Sequence, residues 1–212
     1  MRARALGRGV RRVALIVGIH GDEHEGQLHV DDLVRLLGSI DVRIRLIEDV
    51  NPDGTAHRTR STSSGVDPNR NWPARNFAAS KTCGPRPLSE PEVAAVHADL
   101  VRFVPELVIV LHSDPRGPYV NFDGPARELA ERFAREAGEP WRVVPDMGYP
   151  TPGSFGSWMG VDRRVPTLTI ELRRGDPTKG NGPALARAIP AVVEAFAGGR
   201  PGAGCAPHAG PR

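Results

Sequence analysis

The chain has 212 residues, 39% of them hydrophobic and 25% charged, which suffices for one sizeable buried core and does not demand a second domain. Its formal charge is only +3 and aromatics make up 5%, so the basic face interleaved with aromatic rings that marks a nucleic-acid reader is not expected. No segment approaches the ~20 apolar residues of a membrane span, and two cysteines, Cys83 and Cys205, give neither metal spacing nor a disulfide framework, which predicts a cytoplasmic setting.

Val13 to Ile19 is an apolar run that reads as a buried strand. It leads straight into His20-Gly21-Asp22-Glu23 without the small-residue cleavage site of a secretion signal. Glu25 to Leu37 then carries Leu28, Leu33, Val34 and Leu37 at helical spacing. Val42 to Ile47 alternates Val42, Ile44 and Leu46 with Arg43 and Arg45, the pattern of a strand with one face in water. Asn51 to Pro87 is rich in Gly, Pro, Ser and Asn and longer than a connecting loop normally is, so it is expected to be functional surface.

Ser89-Glu90-Pro91-Glu92 reads as a capping box opening a helix that runs to about Phe103. Leu107 to Leu111 and Thr167 to Ile170 are two more buried strands, Ala126 to Ala137 and Pro183 to Phe196 two more helices, and Gly148 to Gly160 a second Gly/Pro-rich loop. Residues 198–212 form a low-complexity stretch expected to be a disordered tail behind a domain of residues 1–197. Strands alternating with helices predict a single α/β domain, with a mixed, mostly parallel twisted sheet and helices on both faces.

The three apolar strands run into His20, His112 and Glu171. In open α/β sheets the ligand crevice lies at the carboxyl ends of the strands, so these residues are expected to converge although they are far apart in sequence. His20, Glu23 and His112 would then form a two-histidine, one-carboxylate set, which zinc enzymes use with a remaining position open. That predicts one Zn2+ per chain, with Glu171 as the unliganded carboxylate that takes a proton from water. Asp114 is a candidate for orienting a ligand histidine. His24 neighbours the metal motif but reads as a first-turn helix residue, His97 falls mid-helix, and His29, His57 and His208 lack partners at useful spacing.

These strings together resemble the zinc carboxypeptidases of the carboxypeptidase A type. Gly18-Ile19-His20-Gly21-Asp22-Glu23 is similar to the family's first ligand pair, Asn51-Pro52-Asp53-Gly54 to its next signature, and Gly65-Val66-Asp67-Pro68-Asn69-Arg70-Asn71-Trp72 to its Asn-Arg motif. Pro68 departs from the Leu or Ala usual there, restricting Asp67 to extended backbone and deleting one donor. Few residues precede the first strand, which suggests that an edge element is missing.

The resemblance implies that His112 is the third metal ligand, Glu171 the catalytic base and Arg60 the group that stabilises the oxyanion, with Arg58 the competitor for that role. It further implies that Asn69 and Arg70 hold a free carboxylate of a small peptide substrate, where a guanidinium fork fits and lysine does not. Tyr149 would close over that substrate, and Gly156 and Ser157 would lie near the floor of its side-chain pocket. Within the family the murein tripeptide amidase group is nearest, on Pro87-Leu88-Ser89-Glu90-Pro91-Glu92, Asn121-Phe122-Asp123-Gly124, Gly148-Tyr149-Pro150-Thr151-Pro152-Gly153-Ser154 and Thr169-Ile170-Glu171-Leu172. The implied reaction is hydrolysis of the γ-D-glutamyl-diaminopimelate bond of murein peptides. Two alternatives stay open: an amidohydrolase of the aspartoacylase and succinylglutamate desuccinylase type acting on N-acyl amino acids, and a zinc-binding module without catalysis.

Overall fold

The computed structural model describes residues 2–176 and 180–199. Six strands form one sheet: β1 (Arg2–Leu6), β2 (Arg12–Val17), β3 (Arg43–Asp49), β4 (Leu107–Asp114), β5 (Tyr119–Asp123) and β6 (Thr167–Arg173), in the order β1-β3-β2-β4-β6-β5. The four inner strands are mutually parallel, and both edge strands run antiparallel to their neighbours. Five α-helices accompany it: α1 (Val30–Leu37), α2 (Pro52–His57), α3 (Pro91–Phe103), α4 (Arg127–Ala137) and α5 (Asn181–Gly198). The expected single α/β domain with a mixed, mostly parallel sheet is therefore what the chain forms. Residues 200–212, most of the expected tail, lie outside the described residues, and Gly198 itself ends α5.

The period of two along each strand divides the core. Val13, Leu15 and Val17 of β2 pack on one face with Leu33 of α1, Phe133 of α4 and Val193 of α5. Ala14 and Ile16 point to the other face, where Val93, Val96 and Leu100 of α3 meet Trp72, Phe155 and Trp158. Helices thus cover both faces, which is why Val13 to Val17 of β2 and Leu107 to Leu111 of β4 read as unbroken apolar runs.

Several local expectations are corrected. Residues 2–6 do form an edge element, β1, which pairs along β3. The face of β3 that alternation assigns to water is exposed at Arg43 but partly covered at Arg45, whose Nε and Nη2 donate to Asp99 of α3 at 2.6 and 2.7 Å. Strand β5 was not legible, because Pro118 and a short mixed sequence hide it. The capping box does not form, since α3 begins at Pro91 behind Glu90 without a side-chain cap, and Ser89 Oγ donates to Glu90 Oε1 instead. The first turn of the expected helix 25–37 is a 3-10 turn, Gly26–His29, and the loop 148–160 runs into a π-helical turn, Ser157–Asp162.

Candidate active site

Strand β2 stops at Val17, and Gly18, with φ +70°, turns the chain so that Ile19 stays in the core while His20 faces the carboxyl end of the sheet. A reverse turn closed by Glu23 N donating to His20 O at 3.2 Å brings Glu23 back beside His20. His112 and Glu171 are register partners on the parallel pair β4 and β6. Both sit inside their strands rather than just after them, because pairing continues through Asp114 and Arg173. Adjacent strands lie close enough to put both side chains in the same crevice.

The four residues are buried, between 3 and 8% exposed, at the bottom of a cavity of about 270 Å³. His20 Nδ1 lies 2.9 Å from Glu23 Oε1, and His112 Nδ1 lies 2.7 Å from Glu23 Oε2. One ligand atom from each of His20, Glu23 and His112 falls within 4.8 Å of the others, the one such group among the described residues. On the far side, His20 Nε2 is 3.1 Å from Asp67 Oδ1. A proton held on Nε2 by Asp67 leaves the Nδ1 lone pair facing Glu23, the tautomer a metal requires. This donor set, two imidazole nitrogens and a carboxylate with an open side toward the cavity, fits a tetrahedral zinc site.

The protonation preferences follow from these contacts. Burial works against ionising Glu23, but the charges and hydrogen bonds of His112 and His20 outweigh it and hold its carboxyl well below the usual range. Burial likewise opposes charge on His20 and Asp67. The pairing with Glu23 and Asp67 raises His20, and His20, Arg60 and Arg70 lower Asp67. Glu171 differs: among the described residues no hydrogen bond reaches its carboxylate, and burial pushes it up to about 7, with Glu23 and Asp114 adding to the rise and His112 and Arg60 opposing it.

The long segment between β3 and α3 carries the cationic side of the site and is held by buried amides. Asn51 accepts from Gly54 N at 3.0 Å and donates to the carbonyls of Arg60 and Ser61, so the turn at Asn51-Pro52-Asp53-Gly54 fixes where Arg60 emerges. Arg60 Nη1 donates to Glu23 at 3.0 Å and its Nε to Asp67 at 3.1 Å, while the side chain stays 44% exposed toward the cavity. Arg58 is exposed at the left-handed end of α2 and does not line the cavity. Asp67 has the extended backbone that Pro68 demands and caps the turn Pro68–Arg70, accepting from Asn69 N at 2.8 Å. Asn69 and Arg70 line the cavity; Asn69 Oδ1 accepts from Phe155 N at 2.9 Å, and Arg70 Nη1 donates to Asn69 O. Tyr149 stands half-exposed at the rim.

The structure therefore brings His20, Glu23, His112, Glu171, Arg60, Asn69, Arg70 and Tyr149 around one cavity. Asp114 takes a different part, accepting from Arg116 and from Tyr119 Oη at 3.2 Å rather than from a ligand histidine. Sequence reasoning passed over Asp67, although it stands inside the quoted Asn-Arg string, and Arg174, whose Nη2 lies 3.4 Å from Glu23. It also passed over Asn71, whose Nδ2 donates to the carbonyls of Cys83 and Arg86 and to Ser89 Oγ. An asparagine just ahead of a buried tryptophan in a polar loop was the available signal.

Residues 7–123 match the model of the zinc carboxypeptidase family. The chain is 33% identical over 175 residues to murein peptide amidase A of Escherichia coli (strain K12), covering 74% of this chain and 69% of that protein. It is 29% identical over 178 residues to the protein of the same name from Vibrio campbellii, covering 76% and 69%. In three dimensions it is similar to the crystal structure of murein-tripeptide amidase from Escherichia coli O157, with a TM-score of 0.67 over 94% of this chain and 92% of that one at 23% identity. Among the described residues no helix is long and apolar enough to cross a membrane.

Proposed function

Because the chain belongs to the zinc carboxypeptidase family and is a metal-dependent peptide hydrolase by that membership, we propose that it cleaves an amide bond next to a free carboxylate, in the γ-D-glutamyl-diaminopimelate linkage of murein peptides. The observation that carries this reading is Glu171, a buried carboxylate with no hydrogen-bond partner among the described residues, next to three converging side chains able to hold a metal.

His20, Glu23 and His112 would hold one zinc ion, which when bound supplies Lewis acidity to the scissile carbonyl and to water. Glu171 takes a proton from the attacking water and returns it to the leaving amine. Burial raises the proton affinity of Glu171 in the zinc-free protein to about 7, which strengthens it as a base, and a zinc ion beside it would lower that affinity. Arg60 brings a positive charge to the carbonyl oxygen as negative charge grows there, an interaction stronger in the transition state than in the ground state. Asn69 and Arg70 hold the substrate carboxylate, the guanidinium through two parallel hydrogen bonds. Asp67 keeps His20 in the tautomer that binds metal. Tyr149 covers the bound peptide from the rim. The identity of 33% with a murein peptide amidase supports the choice of murein peptides as substrate.

The test is hydrolysis of a γ-D-glutamyl-diaminopimelate tripeptide by zinc-loaded protein, set against N-acyl amino acids and against the chelated protein. Turnover of the tripeptide alone, abolished by chelation, is the expected result. Turnover of only the N-acyl amino acids would replace this reading with the aspartoacylase-like one.

A further inference from the structure

Close behind Glu23 in the chain stands a buried carboxylate that the chemistry above does not use. Glu25 is 2% exposed and does not line the cavity. Both of its oxygens are engaged: Oε2 accepts from Ser113 Oγ at 2.6 Å and Oε1 from Gly175 N at 2.9 Å. Neither partner is near it in sequence. Ser113 directly follows His112 in β4, and Gly175 follows Glu171 just beyond the end of β6. One carboxylate thus joins the three segments that carry Glu23, His112 and Glu171.

The approach is built into the local packing. The 3-10 turn Gly26–His29 lies close against the strands because Gly26 has no side chain: a Cβ there would meet Leu111 Cβ at 2.9 Å and Val17 Cγ1 at 3.1 Å. That places Glu25 against Ser113, whose polar groups are all used. Ser113 N donates to Glu23 Oε2 at 3.2 Å, its Oγ donates to Glu25, and its carbonyl accepts from Arg174 Nη2 at 3.4 Å. The bond to Glu25 therefore holds a residue whose N–H grips one candidate ligand and whose chain neighbour is another. A hydrogen bond to a charged acceptor is of the strong kind, and a buried carboxylate that loses it finds no water in its place.

We propose that Glu25 is a positioning residue for the metal centre: through Ser113 it holds Glu23 and His112 at the separation that one zinc ion needs. It is not itself a member of the converging ligand set. The proposal rests on the reading of His20, Glu23 and His112 as the zinc ligands. Their order is then established during folding, so that binding the ion need not supply it. Breaking the Glu25–Ser113 bond leaves every ligand present and loosens their spacing.

The test is zinc affinity by chelator competition, with the visible spectrum of the cobalt-substituted protein as a reporter of ligand geometry. Glu25→Ala and Ser113→Ala should each weaken zinc binding by ~10–100-fold, the scale for partners that orient metal ligands. Both should also shift the cobalt d–d bands. The double variant should bind zinc no more weakly than the poorer single variant, because both changes remove the same bond. Glu25→Gln should stay within roughly 3-fold of the unaltered protein, since its amide can accept from Gly175 N and donate to Ser113 Oγ, a hydroxyl that serves either role. A carboxylate needed only for folding would lower the stability of the zinc-free protein and leave zinc affinity and the cobalt spectrum of the folded fraction unchanged. That outcome overturns the proposal, as do additive losses in the double variant or a loss in Glu25→Gln equal to that in Glu25→Ala. Should Glu25→Ala not fold, Ser113→Ala reads the same bond from its other end. Absence of zinc binding by the unaltered protein would remove the ligand assignment itself, and this proposal with it.

Discussion

Two regions of the molecule are held by opposite means. In one, α1, α4 and α5 pack on β-strand side chains through Leu33, Phe133, Leu185 and Val193, an apolar layer in which shape and volume carry the stability. In the other, residues 51–90 cross the mouth of the site with little regular structure. Buried polar residues hold them: Asn51, Thr62, Asp67, Asn71 and Glu90 are all under 7% exposed. Glu90 accepts from Thr62, Ser64 and Ser89, and Asn71 accepts from Glu90 N at 3.1 Å, so the segment is stitched to the start of α3. An apolar layer tolerates substitution by degrees, whereas a buried polar network loses whole hydrogen bonds and strands their partners. The catalytic groups sit where the second kind of structure meets the rigid strand ends.

The sharpest break between the two regions is Glu171→Gln. It leaves both layers intact and should lower kcat by ~10²–10⁴-fold, the usual contribution of a positioned acid or base. Zinc content measured by metal analysis should stay unchanged; retained turnover would move the base elsewhere. Next comes Phe133→Ala in the apolar layer, expected to cost ~3–5 kcal/mol in denaturant unfolding while KM of the folded fraction does not change.

Glu171 also supplies a test with an uncommon sign. Its folded-state affinity for protons corresponds to about 7, above the usual value for a carboxyl in an unfolded chain. In zinc-free protein the folded state therefore binds more protons than the unfolded state between roughly pH 4.5 and 7, and stability falls as pH rises through that window. Glu171→Gln should remove that loss and make the zinc-free protein more stable at pH 8 by on the order of 2–3 kcal/mol. The depressed carboxyls of Glu23 and Asp67 act in the other direction, their contribution being lost as pH falls below the usual carboxylate range. His20, raised in the folded state, contributes below the usual histidine value and loses that contribution as pH rises past it. Thermal unfolding of the two proteins from about pH 2 to 9 checks all three signs.

Asn71→Ala attacks the polar network directly, removing donors to two carbonyls and the acceptor for Glu90 N. It should cost about 2–3 kcal/mol and, unlike Phe133→Ala, should raise KM by displacing Asn69 and Arg70. The smallest effect is expected from Asp67→Asn, which keeps the size of the side chain but weakens the hold on His20. Zinc affinity should drop by ~10–100-fold in chelator competition, and an unchanged affinity would assign Asp67 to the loop alone.

Much of this was readable without coordinates where the signal was periodic. The apolar runs of β2, β4 and β6 and the helix patterns of α1, α3, α4 and α5 announce themselves, because burial on both faces leaves few polar residues in a strand and one apolar stripe in a helix. Edge strands β1 and β5 have no such demand. Arg2 and Arg4 in β1 and Asn121 and Asp123 in β5 break the pattern, so they are visible only from their ladders to β3 and β6. The water-facing reading held at Arg43 but only in part at Arg45 for a related reason: alternation reports polarity, and a half-buried arginine paired with Asp99 looks the same as an exposed one.

For the site, the sequence by itself determined the chemistry on offer: His20 and Glu23 three residues apart behind a strand, two further strands carrying His112 and Glu171, and an Asn-Arg string in a polar loop. Ligand type and local spacing are covalent facts and survive without a fold. Only the tertiary structure decided which of those groups meet and in what state: that Glu23 lies between two imidazoles, that Asp67 rather than Asp114 steers a histidine, that Arg60 rather than Arg58 reaches the cavity, and that Glu171 stands buried with no hydrogen-bond partner among the described residues. Burial and partnership set the energy of a charge, and both are properties of packing between segments that are distant in the chain.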